Sequence, residues 1–381
     1  MTPENGPILI AGGGIGGLSA AIALRRAGFD ALVFERAEEL REVGAGISLW
    51  PNATRQLRRW GVLGEVERRA FPIQDGLLRS PDGAVLSRLG FGAHDAPSLL
   101  VHRAALHTAL LRALPAWAVH TGAALEDFVE LGDRVRARFA GVGGVEGAAL
   151  VGADGLRSAV RALLLRDGGP VYRGYPVWRG VAEGLAHVPG ADRLTETLGA
   201  GRRFGIVPIG GGRVAWWAAA NEPEGTDDRP EGARAKLLRL FRGWHTPIPE
   251  LLEATPEEAI LKNPTYDRPP VRGWSRGRVT LLGDAAHPTT PNMGQGGCLA
   301  IEDGAVLAAC LARDTGVPAA LREFERRRFR RVAGIVRQSL QYGHVAQWER
   351  PAAVRLRNAL FRATPAAATR ALMRRIHAFD A

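Results

Sequence analysis

The sequence predicts a mixed α/β fold: a domain built on a parallel sheet, an antiparallel β-sheet interleaved with it along the chain, and helices on the C-terminal side. Residues 8–35 pass through strand, glycine turn, helix and strand, the order of a βαβ unit. Two later apolar strands, in residues 147–155 and 278–284, each end in a turn that contains aspartate. Residues 202–220 alternate with a period of two around a glycine turn, which is typical of antiparallel strands.

The first βαβ unit has the glycine spacing of a dinucleotide-binding turn. Gly12 permits the tight turn, Gly14 lets the backbone approach a pyrophosphate, and Gly17 lets the helix pack on the strand. The helix N-terminus offers unpaired N–H groups to phosphate. Glu35, at the end of the second strand, is placed to bind an adenosine ribose. We therefore predict a Rossmann-like domain with these candidate cofactor contacts: Gly12, Gly14, Ile15, Gly16, Gly17, Glu35 and Arg36.

Two further segments carry candidate cofactor contacts. Gly46 marks a second close backbone approach after the nucleotide-binding unit, and Ile47 follows it. Arg103 stands at the start of a predicted helix, and a guanidinium group binds phosphate oxygens in a bidentate way. An ordinary glycine loop and a solvated surface arginine are the alternatives for these two segments.

Two aspartates follow apolar strands of the predicted parallel sheet, at the carboxyl ends where doubly wound folds bind ligands. Their carboxylates can accept hydrogen bonds from a polyhydroxyl chain. A glycine-rich turn over residues 294–297 opens the next helix and can stabilise negative charge through the helix dipole. This combination suits a flavin with its ribityl chain. The added candidate contacts are Asp154, Gly155, Gly283, Asp284, Gly294, Gln295, Gly296 and Gly297.

Three motifs follow one another in a fixed order along the chain. They are Gly12-x-Gly14-x-x-Gly17 with Glu35-Arg36, Gly152-Ala-Asp154-Gly155-x-x-Ser158-x-x-Arg161, and Leu282-Gly-Asp284-Ala-x-His287-Pro288. Together they resemble the three fingerprints of the single-component FAD-dependent aromatic hydroxylases, the para-hydroxybenzoate hydroxylase fold group. The resemblance spans residues 8 to about 345 in the order and spacing of that family.

The resemblance implies a reaction as well as a fold. In that family NAD(P)H reduces the flavin, dioxygen adds to it, and the resulting flavin hydroperoxide transfers one oxygen atom to a bound substrate. By resemblance, Glu35 binds the adenosine ribose, Arg103 and Asp284 bind FAD, and the Asp154 segment contacts both FAD and nicotinamide. Pro291 and residues 294–297 are expected to line the flavin ring beside the site where oxygen reacts.

The substrate is expected between the flavin and the antiparallel sheet. If the strand faces that carry Arg203 and Trp216 look toward the flavin, Arg203 binds an anionic substrate and Trp216 stacks on it; a surface arginine and a core tryptophan are the alternatives. The substrate half shows no obvious buried base, and His245, in a predicted loop, and Tyr266 are its two candidates. The candidate catalytic residues are Arg203, Trp216, Pro291 and Asn292.

Within the family, the motifs are most similar to those of the FAD urate hydroxylases and the zeaxanthin epoxidases. Arg203 is similar to the substrate-binding arginine of the urate enzymes. Two positions depart from their pattern. Asn292 stands where we expect their acidic residue beside the flavin, and Trp216 stands where we expect their tyrosine.

We predict two interleaved domains and a C-terminal helix. A discontinuous FAD-binding domain covers residues 1–72, 98–171 and 271–345, and a substrate-binding β-sheet domain covers residues 73–97 and 172–270. Residues 346–381 form the C-terminal helix, which is arginine-rich and amphipathic and is expected to cover the FAD-binding domain or a dimer partner. A basic helix on a membrane surface is the alternative.

The composition bears on partners and location. The net charge is +11, but the positive residues are almost all scattered arginines, so we expect neither nucleic acid nor a membrane as a partner. The first residues lack the basic start of a signal peptide, and no apolar run reaches spanning length. We expect a cytoplasmic monomer or homodimer that has no metal site.

The sequence therefore predicts an FAD-dependent monooxygenase that uses NAD(P)H and dioxygen to hydroxylate a small aromatic or heteroaromatic substrate, including anionic rings of the urate or salicylate type. One alternative is an epoxidase of an isoprenoid or carotenoid double bond, which requires a long apolar tunnel and no anchoring arginine. Another is a flavoprotein reductase or dehydrogenase, which does not activate dioxygen. A nucleic-acid- or membrane-binding protein with a vestigial flavin site is the third.

Overall fold

The computed structural model describes residues 6–40, 45–91, 94–185, 187–313 and 315–380. In chain order its strands are β1 (Ile8–Ala11), β2 (Ala31–Phe34), β3 (Gly46–Leu49), β4 (Ala70–Ile73), β5 (Asp75–Arg79), β6 (Val85–Gly90), β7 (Ser98–His102), β8 (Val119–His120), β9 (Leu125–Leu131), β10 (Arg134–Phe139), β11 (Gly143–Gly147), β12 (Ala149–Gly152), β13 (Val171–Glu183), β14 (Leu194–Leu198), β15 (Arg202–Pro208), β16 (Arg213–Ala220), β17 (Leu261–Asp267), β18 (Ser275–Arg276) and β19 (Val279–Leu281).

The two longest helices lie toward the C-terminus of the described chain, and helices occur along its whole length. They are α1 (Ile15–Arg26), α2 (Pro51–Arg59), α3 (Leu63–Glu67), α4 (Arg103–Arg112), α5 (Ala159–Leu165), α6 (Ala233–Leu240), α7 (Ile248–Glu253), α8 (Gly296–Leu311), α9 (Val317–Ala346), α10 (Pro351–Ala363) and α11 (Ala366–His377).

A six-stranded, mostly parallel sheet has the strand order β18-β19-β12-β1-β2-β8. Strand β1 pairs in parallel with β2 on one side and with β12 on the other. The chain order therefore reverses at β1, and in such sheets ligands bind in the crevice beyond the carboxyl ends of the strands at this switch point. Both β1 and β12 are buried along their whole length, as expected for parallel strands covered on both faces. The predicted α/β fold class, with its Rossmann-like domain, is confirmed.

A seven-stranded sheet has the order β17-β13-β16-β15-β14-β5-β6, and all its pairs are antiparallel except β14 with β5. The sheet β3-β7-β4 packs on it, because Gly46 in β3 brings the backbone close to Val207 and Ala215. Residues 202–220, whose alternation with a period of two predicted two antiparallel strands, form the antiparallel pair β15–β16. A second three-stranded sheet contains β9, β10 and β11.

The C-terminal residues form two helices, where the sequence suggested one. Helix α10 ends at Ala363 and α11 begins at Ala366. Proline disfavours helical geometry in the residue before it, and Thr364, which precedes Pro365, has an extended backbone with ψ 117°. The bounds of the two interleaved domains stay a prediction. Among the described residues, we find no helix with the length and apolar character required to cross a bilayer.

A buried cluster of charges joins α8 and α9. The Asp303 carboxylate accepts hydrogen bonds from the Gly283 amide (2.8 Å) and from Arg328 Nε (2.6 Å), and His287 Nε2 lies 2.6 Å from it. Arg328 also donates to Glu302 at 2.6 Å, and both side chains are fully buried. Burial alone would raise the pKa of Asp303, but its contacts with His287 and Arg328 hold that pKa below the ordinary value.

Replacing Arg328 by alanine is expected to lower the free energy of unfolding by about 3–5 kcal/mol, because two buried carboxylates would lose their shared cation. The matched control is Arg326→Ala on the same helix: Arg326 pairs with Glu323 at 2.6 Å in solvent, and its loss is expected to leave stability nearly unchanged. Urea unfolding of the FAD-loaded protein measures both. Equal losses for the two variants would contradict the structural role given to Arg328.

Candidate active site

One cavity of about 800 Å³ lies at the carboxyl ends of β1, β12 and β19. It continues along one face of β15 and β16 and reaches α10 and α11. Most sequence-predicted site residues line it together: Gly14, Ile15, Gly16, Gly46, Ile47, Arg103, Gly155, Arg203, Gly283, Asp284, Pro291, Asn292, Gly294, Gly296 and Gly297. The others, Gly12, Gly17, Glu35, Arg36, Asp154, Trp216 and Gln295, do not line it.

The three glycines of the first turn occupy three different environments. Gly12 has φ 109°, and a side chain there would collide with the backbone of Ala153. A side chain at Gly17 would collide with the carbonyl of Gly12, so helix α1 needs glycine to pack this closely. Gly14 faces open space instead. It is the N-cap of α1, and no side chain caps that terminus, which leaves backbone N–H groups facing the cavity.

Glu35 and Arg36 lie beside this turn rather than in the cavity lining. One Glu35 oxygen accepts from the Gly13 amide at 2.6 Å and the other accepts from the Ala37 amide at 2.9 Å. The carboxylate is thus fixed at the end of β2, next to the glycine turn. Arg36 is exposed to solvent.

Asp284 and the start of α8 form the opposite side of the cavity. The Asp284 side chain is exposed to the cavity and lies within its walls. This enclosure raises the pKa of Asp284, against the effect of His287 and Arg103. The turn before α8 is held by Trp50, whose indole Nε1 donates to the Gly294 carbonyl at 3.0 Å. Gly294 has φ 59°, the left-handed region that glycine favours.

Asp154 does not point into the cavity as the sequence suggested. Its carboxylate accepts from the Ser158 hydroxyl (2.5 Å) and from the Ala159 amide (2.7 Å), so it binds the N-terminus of α5. Only residues 153–158 connect β12 to α5, so the unpaired amides at the start of α5 are close enough to donate to this carboxylate. Burial raises the pKa of Asp154 in spite of these hydrogen bonds. Only its neighbour Gly155 lines the cavity.

Gln295 also differs from the expectation. Its side chain is buried behind the turn, where its Oε1 accepts from Asn52 Nδ2 at 3.0 Å. Asn52 donates to Glu302 as well. Gln295 therefore connects the glycine turn to the buried charge cluster of α8 and α9.

Arg203 lines the cavity and is almost completely buried, with 1% of its surface exposed. Its guanidinium donates to Glu196 Oε1 at 3.1 Å and to Asn292 Oδ1 at 2.6 Å. Asn292 is itself fixed by donating to the Ser339 carbonyl at 2.9 Å. Tyr342 donates to the other Glu196 oxygen at 2.7 Å. The positive charge of Arg203 is therefore paired inside the protein.

Trp216 was predicted to stack on the substrate if its strand face looked toward the flavin, but it does not line the cavity; the adjacent Trp217 does. In the β15–β16 register Arg203 lies opposite Ala219 and Gly205 lies opposite Trp217, and residues directly opposite share a face. The Trp217 indole lies across Gly205, where a side chain would collide with it. Trp216 points to the other face, where its Nε1 donates to Thr255 at 2.8 Å. Alternation along the sequence shows which residues of one strand share a face. It does not show which face of β16 lies on the same side of the sheet as Arg203, because that depends on the register of the two strands.

Several cavity residues were missed by the sequence analysis, and two candidates lie elsewhere. His245 lines a separate cavity of about 220 Å³, and Tyr266 hydrogen-bonds to Glu224 away from both cavities. Neither is placed to act as a base in the main cavity. The missed residues lie in strands and one helix outside the three motifs, where spacing carries no signal: Arg179, Glu196, Trp217, Asn263 and Tyr342.

Comparisons with known proteins agree with this geometry. The family model described as "FAD binding domain" matches residues 5–339. The aurachin C monooxygenase/isomerase of Stigmatella aurantiaca is 45% identical over 359 residues, covering 93% of each chain. The 3-amino-4-hydroxybenzoate 2-monooxygenase PtnB3 of Streptomyces platensis is 39% identical over 353 residues, covering 88% of this chain and 87% of that one.

Solved structures extend the likeness to the whole fold. HpxO of Klebsiella pneumoniae, complexed with FAD and uric acid, has a TM-score of 0.90 and 30% identity, covering 98% of this chain and 97% of that one. The resemblance recognised in the three motifs is confirmed by these matches. The chain therefore belongs to the FAD binding domain family and is an FAD-dependent monooxygenase of the aromatic hydroxylase type.

Proposed function

We propose that this enzyme uses NAD(P)H and dioxygen to hydroxylate an aromatic or heteroaromatic ring held at Arg203 and Trp217. The observation that supports the proposal is a single cavity. Its glycine-lined end, at Gly14 and Gly296, is continuous with the sheet face that carries Arg203. A cofactor in the first part and a ring in the second would thus share one space without a barrier of side chains between them.

The residues present fit FAD. Gly14 leaves open space beside an uncapped helix N-terminus, which suits a pyrophosphate. Asp284 offers a carboxylate to the hydroxyls of a ribityl chain, and the N-terminus of α8 offers N–H groups to the flavin ring. When bound and reduced by NAD(P)H, the flavin supplies the activation of dioxygen. We propose that Glu35, already fixed beside the glycine turn, accepts from the adenosine ribose.

Arg203, Trp217 and Asn292 would bind and orient the ring. Trp217 offers an aromatic face against which a planar ring can stack. Arg203 Nε has no hydrogen-bond partner among the described residues, so an oxygen or nitrogen of the ring is the partner we propose for it. Because Glu196 already pairs with Arg203, the site offers directed donors with little net charge. This pairing favours a neutral polar ring over a carboxylate-bearing one.

One observation favours the epoxidase alternative. Part of the cavity beyond Arg203 is lined by apolar side chains, among them Leu89, Phe91 and Met373. An isoprenoid chain could enter such a space. The reduced flavin would serve either reaction, so product analysis has to separate hydroxylation of a ring from epoxidation of a double bond.

The proposal is tested on the purified yellow protein by following NADH and NADPH oxidation together with oxygen uptake. The panel contains neutral phenols, hydroxyquinolines, aromatic acids and urate. We expect at least one ring to stimulate coupled consumption and to yield a product heavier by one oxygen atom. Oxidation of NAD(P)H coupled to substrate reduction without oxygen uptake would instead show a reductase.

Replacing Asp284 by alanine is expected to raise the dissociation constant of FAD by about 10- to 100-fold, because a hydrogen bond to a charged group is lost. The matched control is Asp154→Asn, which removes a carboxylate that caps α5 outside the cavity lining. That variant should bind FAD normally and unfold at a lower temperature. Titration of apoprotein with FAD by flavin fluorescence measures both constants. A greater loss of FAD affinity in Asp154→Asn would refute this assignment.

Replacing Glu196 by glutamine is expected to change the preference for charge. Arg203 would keep a hydrogen-bond acceptor but lose its compensating charge, so the KM for an aromatic carboxylate should fall about tenfold. The KM for the matched neutral amide should stay within about twofold. Steady-state kinetics of the two compounds in wild type and variant decide the point. A parallel change in both KM values would indicate that Glu196 only supports the structure.

A further inference from the structure

The cavity has a second, apolar end that a single ring does not explain. Beyond Arg203 it passes between the β5–β6 hairpin and the helices α10 and α11. We use the name apolar branch for this part. Its lining consists mainly of hydrocarbon and aromatic side chains contributed by these elements: Leu78, Leu89, Phe91, Phe361, Leu372 and Met373.

The apolar branch leads from a buried inner end to an exposed rim. Leu78 at the inner end is 2% exposed, and Leu372 at the rim is 45% exposed. Ala368 and Thr364 also line the rim and are exposed. The branch is therefore a passage to solvent rather than a closed gap in the core.

Close packing builds the wall of this passage. Helix α11 lies so near β6 that a side chain at Gly90 would stand 2.9 Å from the Arg370 Cγ atom. On the other side, Phe361 of α10 packs with Tyr342, whose hydroxyl donates to Glu196. The apolar branch thus begins directly behind the residue that pairs with Arg203.

We propose that the substrate is a ring that carries a long, unbranched or isoprenoid hydrocarbon tail, with the tail lying in the apolar branch. The inference rests on the proposed function for the position of the ring at Arg203. Water finds few hydrogen-bond partners in a passage lined by leucine, phenylalanine and methionine. Each methylene of a tail that enters the passage is instead stabilised by its removal from water. The rim at Leu372 leaves a tail longer than the passage free to extend outward.

The first test measures affinity as a function of tail length. Holoenzyme is titrated with 4-alkylphenols from methyl to dodecyl, each below its aggregation limit, and binding is followed by the flavin absorbance spectrum. The dissociation constant is expected to fall roughly threefold for each added methylene until the apolar branch is filled. A dissociation constant independent of tail length would overturn the inference.

The second test narrows the passage at its rim. Ala368→Trp places an indole in the lining, whereas Ala367→Trp places the same group on the neighbouring exposed position outside it. We expect Ala368→Trp to weaken binding of dodecylphenol by about tenfold or more and to leave binding of methylphenol unchanged. Ala367→Trp should behave as wild type with both compounds. Identical behaviour of the two variants would place the tail elsewhere and refute the inference.

A charge provides an independent check that does not depend on steric fit. Leu372→Glu introduces a carboxylate at the rim, and Leu356→Glu introduces one at another exposed leucine of the same helix pair that does not line the cavity. Long-tailed phenols should lose affinity only in the first variant. Thermal unfolding of both variants controls for damage to the fold, since both positions are exposed.

The outcomes separate this inference from the proposed function. If affinity increases with tail length but no compound couples NAD(P)H oxidation to oxygen uptake, the inference that the apolar branch binds a tail is supported and the hydroxylase proposal fails. If methylphenol and dodecylphenol are hydroxylated with equal KM values, the hydroxylase proposal stands and the tail does not bind in the apolar branch.

Discussion

The carboxylate of Asp303 is the constraint on which the site depends. It is buried in α8, yet it binds the Gly283 amide at the end of β19 and Arg328 in α9. A buried carboxylate without partners would be costly, so the packing of these elements that supplies its partners is strongly favoured. That arrangement places Asp284, the residue after Gly283, at the cavity and directs the N-terminus of α8 toward the same space.

The features predicted from the sequence are those set by local geometry. The turn from Gly12 to Gly17 was predictable because its glycine spacing lies within one contiguous βαβ unit. The structure adds a demand that the spacing does not show, since a side chain at Gly12 would collide with Ala153, which follows β12. The strand-end position of Asp284 was predictable for a similar reason. Asp154 stands at an equivalent strand end, yet its carboxylate turns to cap α5. The position of an aspartate after an apolar strand therefore predicted that it lies at this edge of the sheet, but not the direction in which its side chain points.

The features that were missed depend on pairing between distant segments. Trp216 and Trp217 are adjacent and chemically alike, and only the register of β15 with β16 decides which of them faces the cavity. Glu196 lies in β14, and nothing in its neighbourhood marks it as the partner of Arg203. The Glu302-Asp303 pair did leave a signal, since two carboxylates interrupt an otherwise apolar helix. An arginine-rich helix follows it in the sequence.

The strand order of the six-stranded sheet also has a consequence for folding. The glycine turn belongs to one contiguous segment, in which β1 and β2 pair in parallel. The part of the site that contains Asp284 forms only when β12 pairs with β19. This pairing brings together Gly152 and Leu281, which are about 130 residues apart in the sequence. Contacts between distant segments form later than local ones because they close long loops. We therefore expect the half of the site that contains the Gly12–Gly17 turn to form earlier in folding than the half that contains Asp284.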